Sequence, residues 1–226
     1  MKILILAAMD KELNLLINLL EDIEERKFNT FEIKQGRYLD HDLLLAKCGI
    51  GKVNAALNSY QIIKETNPDL ILNSGVAGGA GIPIGSILIA DKIAYHDVWC
   101  GPGTLYGQAD SFPLYMTPSS SVLNLWKELQ HIDKINKGLI CSGDKFITTP
   151  EEISLIRSHF PEVKAVDMES AAIAQTCILM DKPFAVIRIV SDTPGEGENI
   201  SQYKDFWNKA PEKTFEVLNE ILKRIQ

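Results

Sequence analysis

The chain is poor in the residues that metal, disulfide and nucleic-acid chemistry depend on. Its four cysteines, Cys48, Cys100, Cys141 and Cys177, include no CxxC pair, so neither a zinc knuckle nor a disulfide framework is indicated. Cys48, Cys141 and Cys177 sit in apolar runs and read as reduced, packed thiols, whereas Cys100 sits in a loop and reads as exposed. Four scattered histidines show no ligand spacing, and neither a metal nor a cofactor is expected. Basic residues are outnumbered, 23 against 30 acids, for a net charge of −7 and a pI near 5.2. Nucleic acid and anionic membranes both want a basic patch, so neither is expected as a partner. No apolar run approaches the roughly 20 residues of a membrane span. Ile3 to Met9 is too short for a signal core and runs straight into Asp10, Lys11 and Glu12. A cytoplasmic location is the expectation. No internal repeat, Ser/Gly-rich linker or charge block divides the 226 residues, so one domain over 1–226 is expected.

Short apolar runs alternate with helical periodicity. Lys2 to Ala8 reads as a buried strand, and Asp10 starts a helix whose leucines recur at near-helical spacing. Phe31 to Tyr38 and Asp42 to Lys47 read as strands joined by a turn, with a helix from about Asn54 to Thr66. Asp69 to Asn73 is a strand running into Ser74–Gly79, a glycine-rich segment that reads as a flexible loop. Gly85 to Ala90 and Lys92 to His96 read as two strands, followed by a long irregular stretch from Trp99 to Pro113. Ser121 to His131 reads as a helix capped by one of three serines, and Lys137 to Cys141 as a strand. Thr149, Pro150 and Glu152 form a helix start with a capping box. Val163 to Asp167 and Phe184 to Val190 are further strands flanking an apolar helix from Ser170 to Met180, and an amphipathic helix from about Ser201 to Ile225 closes the chain. This order specifies an α/β fold: three αβα layers with a central mixed sheet.

Ligands of open α/β sheets bind beyond the carboxyl ends of strands. Glu12, Glu169 and Asp192 each follow such an end and are candidates to share one pocket. Each also has a plainer explanation. Glu12 and Glu169 stand at helix starts, where the dipole favours any acid, and Asp192 opens a loop. Arg188 interrupts an apolar strand and needs a carboxylate, either Asp167 or Glu169. The glycine segment, with Ala77 and Gly78, lets a ligand approach the backbone but carries no cation for phosphate. His96 and Asp97, adjacent on a strand, are expected to point apart, at the surface or an interface.

Six segments carry a resemblance: Met1–Glu12 (MKILILAAMDKE), Lys47–Ala56 (KCGIGKVNAA), Asn73–Gly79 (NSGVAGG), Ser142–Ile147 (SGDKFI), Ala165–Ala172 (AVDMESAA) and Val190–Asp192 (VSD). In this order they are similar to the methylthioadenosine/S-adenosylhomocysteine nucleosidases of the purine nucleoside phosphorylase superfamily. The resemblance runs from Met1 to the last helix. It implies hydrolysis of the N-glycosidic bond of a small nucleoside with release of adenine. By position, Glu12 resembles the activator of the attacking water. Asp192, helped by Ser191, resembles the acid that protonates purine N7. Glu169 resembles the carboxylate that binds the ribose hydroxyls. Phe146 resembles the aromatic stacked on the base, and Ile147 the residue offering backbone groups to its edge. Met9, Ile50 and Met168 resemble apolar contacts to ribose and the 5′ substituent, and Arg188 a support below the site. A homodimer is implied, with Trp99, Leu105, Phe112, Leu114 and Tyr115 as candidate interface residues. Val76 stands where the family often has Ser, and Asp167 where Glu is commoner; Trp99 to Phe112 matches poorly.

Three alternatives stand beside hydrolysis of methylthioadenosine or S-adenosylhomocysteine. A phosphorylase of the same superfamily would need cations for a phosphate dianion. The chain has five arginines, none in the glycine segment or the first strand–helix turn, and Glu12 would repel phosphate there. The others are hydrolysis of a related purine nucleoside, such as futalosine or adenosine, and non-catalytic nucleoside binding.

Overall fold

Every residue from Ile3 to Ala7 is buried, and the two faces of this strand feed different cores. Leu4 and Leu6 pack with one cluster; Ile3, Ile5 and Ala7 pack with another. Side chains alternate across a strand, so an all-apolar run demands cover on both sides. The computed structural model describes residues 1–28, 31–209 and 212–225. Its elements, in chain order, are β1 (Lys2–Ala7), α1 (Asp10–Ile17), β2 (Glu21–Lys27), β3 (Glu32–Tyr38), β4 (His41–Lys47), α2 (Lys52–Thr66), β5 (Leu70–Gly79), β6 (Ile87–Tyr95), α3 (Ser120–Asn124), α4 (Trp126–Leu129), β7 (Ile135–Ser142), α5 (Pro150–His159), β8 (Val163–Asp167), α6 (Ser170–Leu179), β9 (Phe184–Asp192), α7 (Asn199–Lys209) and α8 (Glu212–Leu222).

The strands form one mixed sheet of nine in the order β2-β3-β4-β1-β5-β8-β7-β6-β9, with a further pairing of β5 to β9. That extra pairing closes β5, β8, β7, β6 and β9 into a ring, from which β1, β4, β3 and β2 extend as an open wing. Helices α2 and α6 cover one face; α1, α8 and the short α3 and α4 cover the other. The central mixed sheet between helical layers is the architecture expected from the sequence.

Several local expectations are corrected. The glycine segment Ser74–Gly79 is not a loop but the second half of β5, paired with β9 through Gly78. Its glycines answer crowding, not flexibility: a Cβ on Gly75 would lie 2.6 Å from Glu12 Oε1, and one on Gly78 2.5 Å from Pro194 Cγ. The two strands expected before His96 are one, β6, with a register shift between Ala90 and Lys92. The helix expected from Ser121 is two short ones around Leu125, the first capped by Ser119 Oγ. The closing helix is two, α7 and α8, the first beginning at Asn199. Strand β2 went unassigned in the sequence because it is wholly exposed and its EDIEERK composition has no apolar face; its charges blunt the sheet edge. Thr149 and Glu152 form the expected capping box on α5.

Candidate active site

Glu12 sits in the first turn of α1, and its side chain folds back on the chain that precedes it. Oε2 accepts the N–H groups of Ala8 (2.9 Å) and Met9 (3.0 Å), while Oε1 accepts the N–H of Val76 on β5 (3.1 Å). The plainer explanation, a helix cap, is therefore half of its role: capping holds the carboxylate against β5. Burial raises its pKa, against the lowering influence of Arg188 and these three N–H groups.

Glu169 reaches the same place from an unexpected direction. Strand β8 runs antiparallel to the end of β5, with Gly78 opposite Val166 and Gly79 opposite Ala165. Continuing along β8 therefore leads back toward Val76 and Glu12. Glu169 Oε1 accepts the Gly51 N–H at 3.1 Å. Burial first, and neighbouring Asp167 second, push its pKa up to about 7.

Asp192 ends β9 and is 2 % exposed. Ser191 Oγ donates to its Oδ1 (2.7 Å), and Asn199 Nδ2 donates to its Oδ2 (3.1 Å). Burial raises its pKa, partly offset by these two donors.

One cleft gathers Met9, Glu12, Ile50, Ala77, Gly78, Phe146, Ile147, Met168, Glu169, Ser191 and Asp192. Every sequence-nominated site residue lines it except Arg188. Arg188 lies behind the floor at 2 % exposure and pairs with Asp167, not Glu169. Its Nη2 and Nε stand 2.9 and 3.1 Å from Asp167 Oδ2. Its Nη1 and Nη2 donate to Asn73 O and Oδ1. Asp167 also accepts from Ser142 Oγ (2.5 Å) and Ser170 Oγ. This network satisfies the buried guanidinium and leaves Glu169 unpaired by Arg188.

The walls are apolar and aromatic. Phe146, 40 % exposed, meets Tyr203 of α7 edge-on at 5.6 Å. Tyr203 also directs its hydroxyl at Met9 Sδ, 3.5 Å away. The sequence does not single out Tyr203, because an aromatic on an amphipathic helix gives no sign of which cleft it borders. Val166, Pro194 and Lys145 also line the cleft. Lys145 is ion-paired with Glu152 of the α5 capping box.

His96 is not at the surface but buried, and its ring packs so closely on Gly143 that a Cβ there would come within 2.3 Å. Burial lowers its pKa. Asp97 binds Lys52 Nζ at 2.8 Å and accepts the Asp144 N–H at 2.8 Å, so both residues meet the Gly143–Asp144 segment. Asp10 pairs with Lys47 and does not line the cleft.

Buried carboxylates around an apolar slot, at the strand ends of a mixed sheet partly closed on itself, define an enzyme of the phosphorylase superfamily, whose family model matches residues 2–223. The chain is 34% identical over 233 residues to the 5′-methylthioadenosine/S-adenosylhomocysteine nucleosidase of Geobacillus sp. (strain WCH70), covering 100% of both chains. It is 37% identical over 209 residues to the enzyme of the same name from Lysinibacillus sphaericus, covering 89% of this chain and 90% of that one. The S-adenosylhomocysteine nucleosidase of Streptococcus pyogenes, solved with 5-methylthiotubericidin, superposes with a TM-score of 0.95 at 33% identity, covering 100% of this chain and 98% of that one. The Colwellia psychrerythraea nucleosidase solved with adenine gives 0.93 at 32% identity, covering 100% and 96%. The chain belongs to the 5′-methylthioadenosine/S-adenosylhomocysteine nucleosidase family.

Proposed function

We propose that this chain hydrolyses the N-glycosidic bond of 5′-methylthioadenosine and S-adenosylhomocysteine, releasing adenine. The observation that carries the reading is the convergence of Glu12, Glu169 and Asp192 in one apolar cleft. Cleavage passes through an oxocarbenium-like state: positive charge grows on the ribose and negative charge on the departing purine. Glu12 takes a proton from the water that attacks C1′; its raised pKa makes it a better base than a free glutamate. Glu169 holds the ribose hydroxyls and faces the growing positive charge. Asp192, whose pKa is raised by burial, keeps a proton for purine N7. Phe146 stacks on the base, with Ile147 at its edge and Met9, Ile50 and Met168 around ribose and the 5′ group. Ala77 and Gly78 provide the close backbone wall.

Water is favoured over phosphate as nucleophile by charge. Among the described residues no arginine lines the cleft, and the lysine that does, Lys145, is paired with Glu152. A phosphate dianion would enter a cleft whose charged lining, Lys145 aside, is the carboxyl groups of Glu12, Asp167, Glu169 and Asp192, with little to hold it. Incubating the protein with methylthioadenosine, with and without phosphate, tests this. Adenine and free methylthioribose in phosphate-free buffer are expected; phosphate-dependent release with a sugar 1-phosphate would make it a phosphorylase.

The proposal takes the whole chain as one catalytic domain working as a homodimer in the cytoplasm. Val53, Leu57 and Tyr60 form an exposed apolar stripe at helical spacing along α2, and exposed Ile50 continues it just before the helix. The stripe begins at the cleft, because Ile50 lines it, so a second copy seated there would complete the 5′ side. Trp99 and Leu105, each about 60% exposed, extend the apolar surface. The four cysteines are free thiols, which fits a reducing compartment.

A further inference from the structure

Asn199 is buried, 3 % exposed, at the start of α7. Its Nδ2 donates to two acceptors: Ile147 O at 2.9 Å and Asp192 Oδ2 at 3.1 Å. The backbone carbonyl of Ile147 can only accept, so chemistry fixes which end of the amide faces this way: the NH₂ group, not the oxygen. Asp192 Oδ2 therefore meets a permanent donor. The hydroxyl oxygen of a protonated carboxyl is a weaker acceptor than its carbonyl oxygen, so a permanent N–H donor at Oδ2 favours the proton on the other oxygen. When Asp192 is protonated, its proton belongs on Oδ1, beside Ser191 Oγ at 2.7 Å. Ser191 accommodates this, because its hydroxyl also lies 3.3 Å from Ala77 O and can donate there while accepting from Asp192. Ser191 and Asp192 line the cleft; Asn199 is not among the lining residues.

We infer that Asn199 is a positioning residue that reserves Oδ2 of Asp192 as an acceptor, places the acid's proton on Oδ1 beside Ser191, and ties the acid to the carbonyl of Ile147. The inference rests on the proposed role of Asp192 as proton donor to the leaving purine. In that step the C1′–N9 bond breaks and its electron pair goes to the purine. The Oδ1 proton moves to N7, and Asp192 is left as a carboxylate that the Asn199 N–H then stabilises. The same amide N–H also fixes Ile147 O, so the group that recognises the base edge and the group that protonates it are held in one frame.

The role has a signature that packing alone does not give. Removing the donor makes Asp192 harder to ionise, so it stays protonated to higher pH, yet makes it a poorer acid in the transition state. In Asn199→Ala, kcat on methylthioadenosine is expected to fall about ten- to a hundredfold, less than the roughly 10²–10⁴ that a general acid contributes, because the acid is mispositioned and not removed. The basic limb of the pH profile should move upward. A 4-nitrophenyl 5-methylthioriboside, whose phenolate departs without being protonated, should change by less than about threefold. Equal losses on the two compounds, or a basic limb that stays in place, would overturn the inference. Asn199→Leu, which nearly conserves volume, carries the same comparison where the alanine variant does not fold. Wild-type protein that releases no adenine breaks the functional proposal instead, and that is known before any variant is assayed.

Discussion

Glu12 divides its work between two oxygens. Oε2 closes the first turn of α1, and Oε1 is fixed on Val76 at the cleft. Under the proposed mechanism Glu12→Gln keeps one acceptor but loses the base, and Asp192→Asn loses the acid. Each is expected to reduce kcat by at least about 10²-fold while far-UV circular dichroism and melting temperature show a folded protein. Undiminished turnover in either would remove that residue from the mechanism. Glu169 gives a prediction in stability. Its native pKa of about 7 lies above the ordinary 4.5, so between these values the native state binds more protons than the unfolded chain. Stability contributed by this group is full at low pH and declines as pH rises through that window. Glu169→Gln keeps an acceptor for the Gly51 N–H and removes the titration. The variant should be more stable than wild type at pH 8, by up to about 3 kcal/mol, and indistinguishable near pH 4. Urea midpoints across that range measure it, and a variant that is less stable at pH 8 would refute the assignment.

At the scale of elements, the decisive piece is the second half of β5. It is a strand because β9 pairs with it, and it is glycine-rich because Glu12 on one side and Pro194 on another leave no room for a Cβ. Gly75→Ala tests this. The added methyl meets a carboxylate oxygen at 2.6 Å, so Glu12 must move. The expectation is a loss of kcat larger than the loss of stability, which stays at about 1–3 kcal/mol for a local overpacking. If instead activity is kept, Glu12 does not need its seat on Val76. The buried pair of Arg188 and Asp167 serves elements as well, pinning β9 to the end of β8 through Asn73 of β5.

At the scale of the molecule, the ring of β5, β8, β7, β6 and β9 folds the sheet back so that strands of opposite direction end at one cleft. In the proposed homodimer the exposed α2 stripe is the surface between the two copies. Leu57→Asp, on a side chain 59% exposed in the isolated chain, should cost little in folding. In a dimer it buries an unpaired charge. Light scattering is expected to show the mass halved, with kcat/KM lowered because the 5′ side of the cleft is left open. A dimer that persists unchanged would place the interface elsewhere.

Local patterns in the sequence determined much of this. β8 occupies Val163–Asp167 and α5 begins after Thr149 as read directly, because buried runs and capping boxes depend only on neighbouring residues. Of the cleft-lining nominees, Glu12, Glu169 and Asp192 stood out at strand ends and Ala77 and Gly78 in the glycine segment, while Met9, Ile50, Phe146, Ile147, Met168 and Ser191 rested on short motifs compared with a family. What the sequence left open or missed is non-local. Whether Arg188 pairs with Asp167 or Glu169, whether the glycines form a loop or a strand, whether His96 is buried, and that on α7 Tyr203 lines the cleft while Asn199 binds Asp192 all depend on which strands meet. The antiparallel return of β8 along a bent β5 brings Glu169 to Glu12, across more than 150 residues of chain. No periodicity encodes that meeting; it follows from closing the ring, where long-range backbone pairing and burial on both faces select one arrangement.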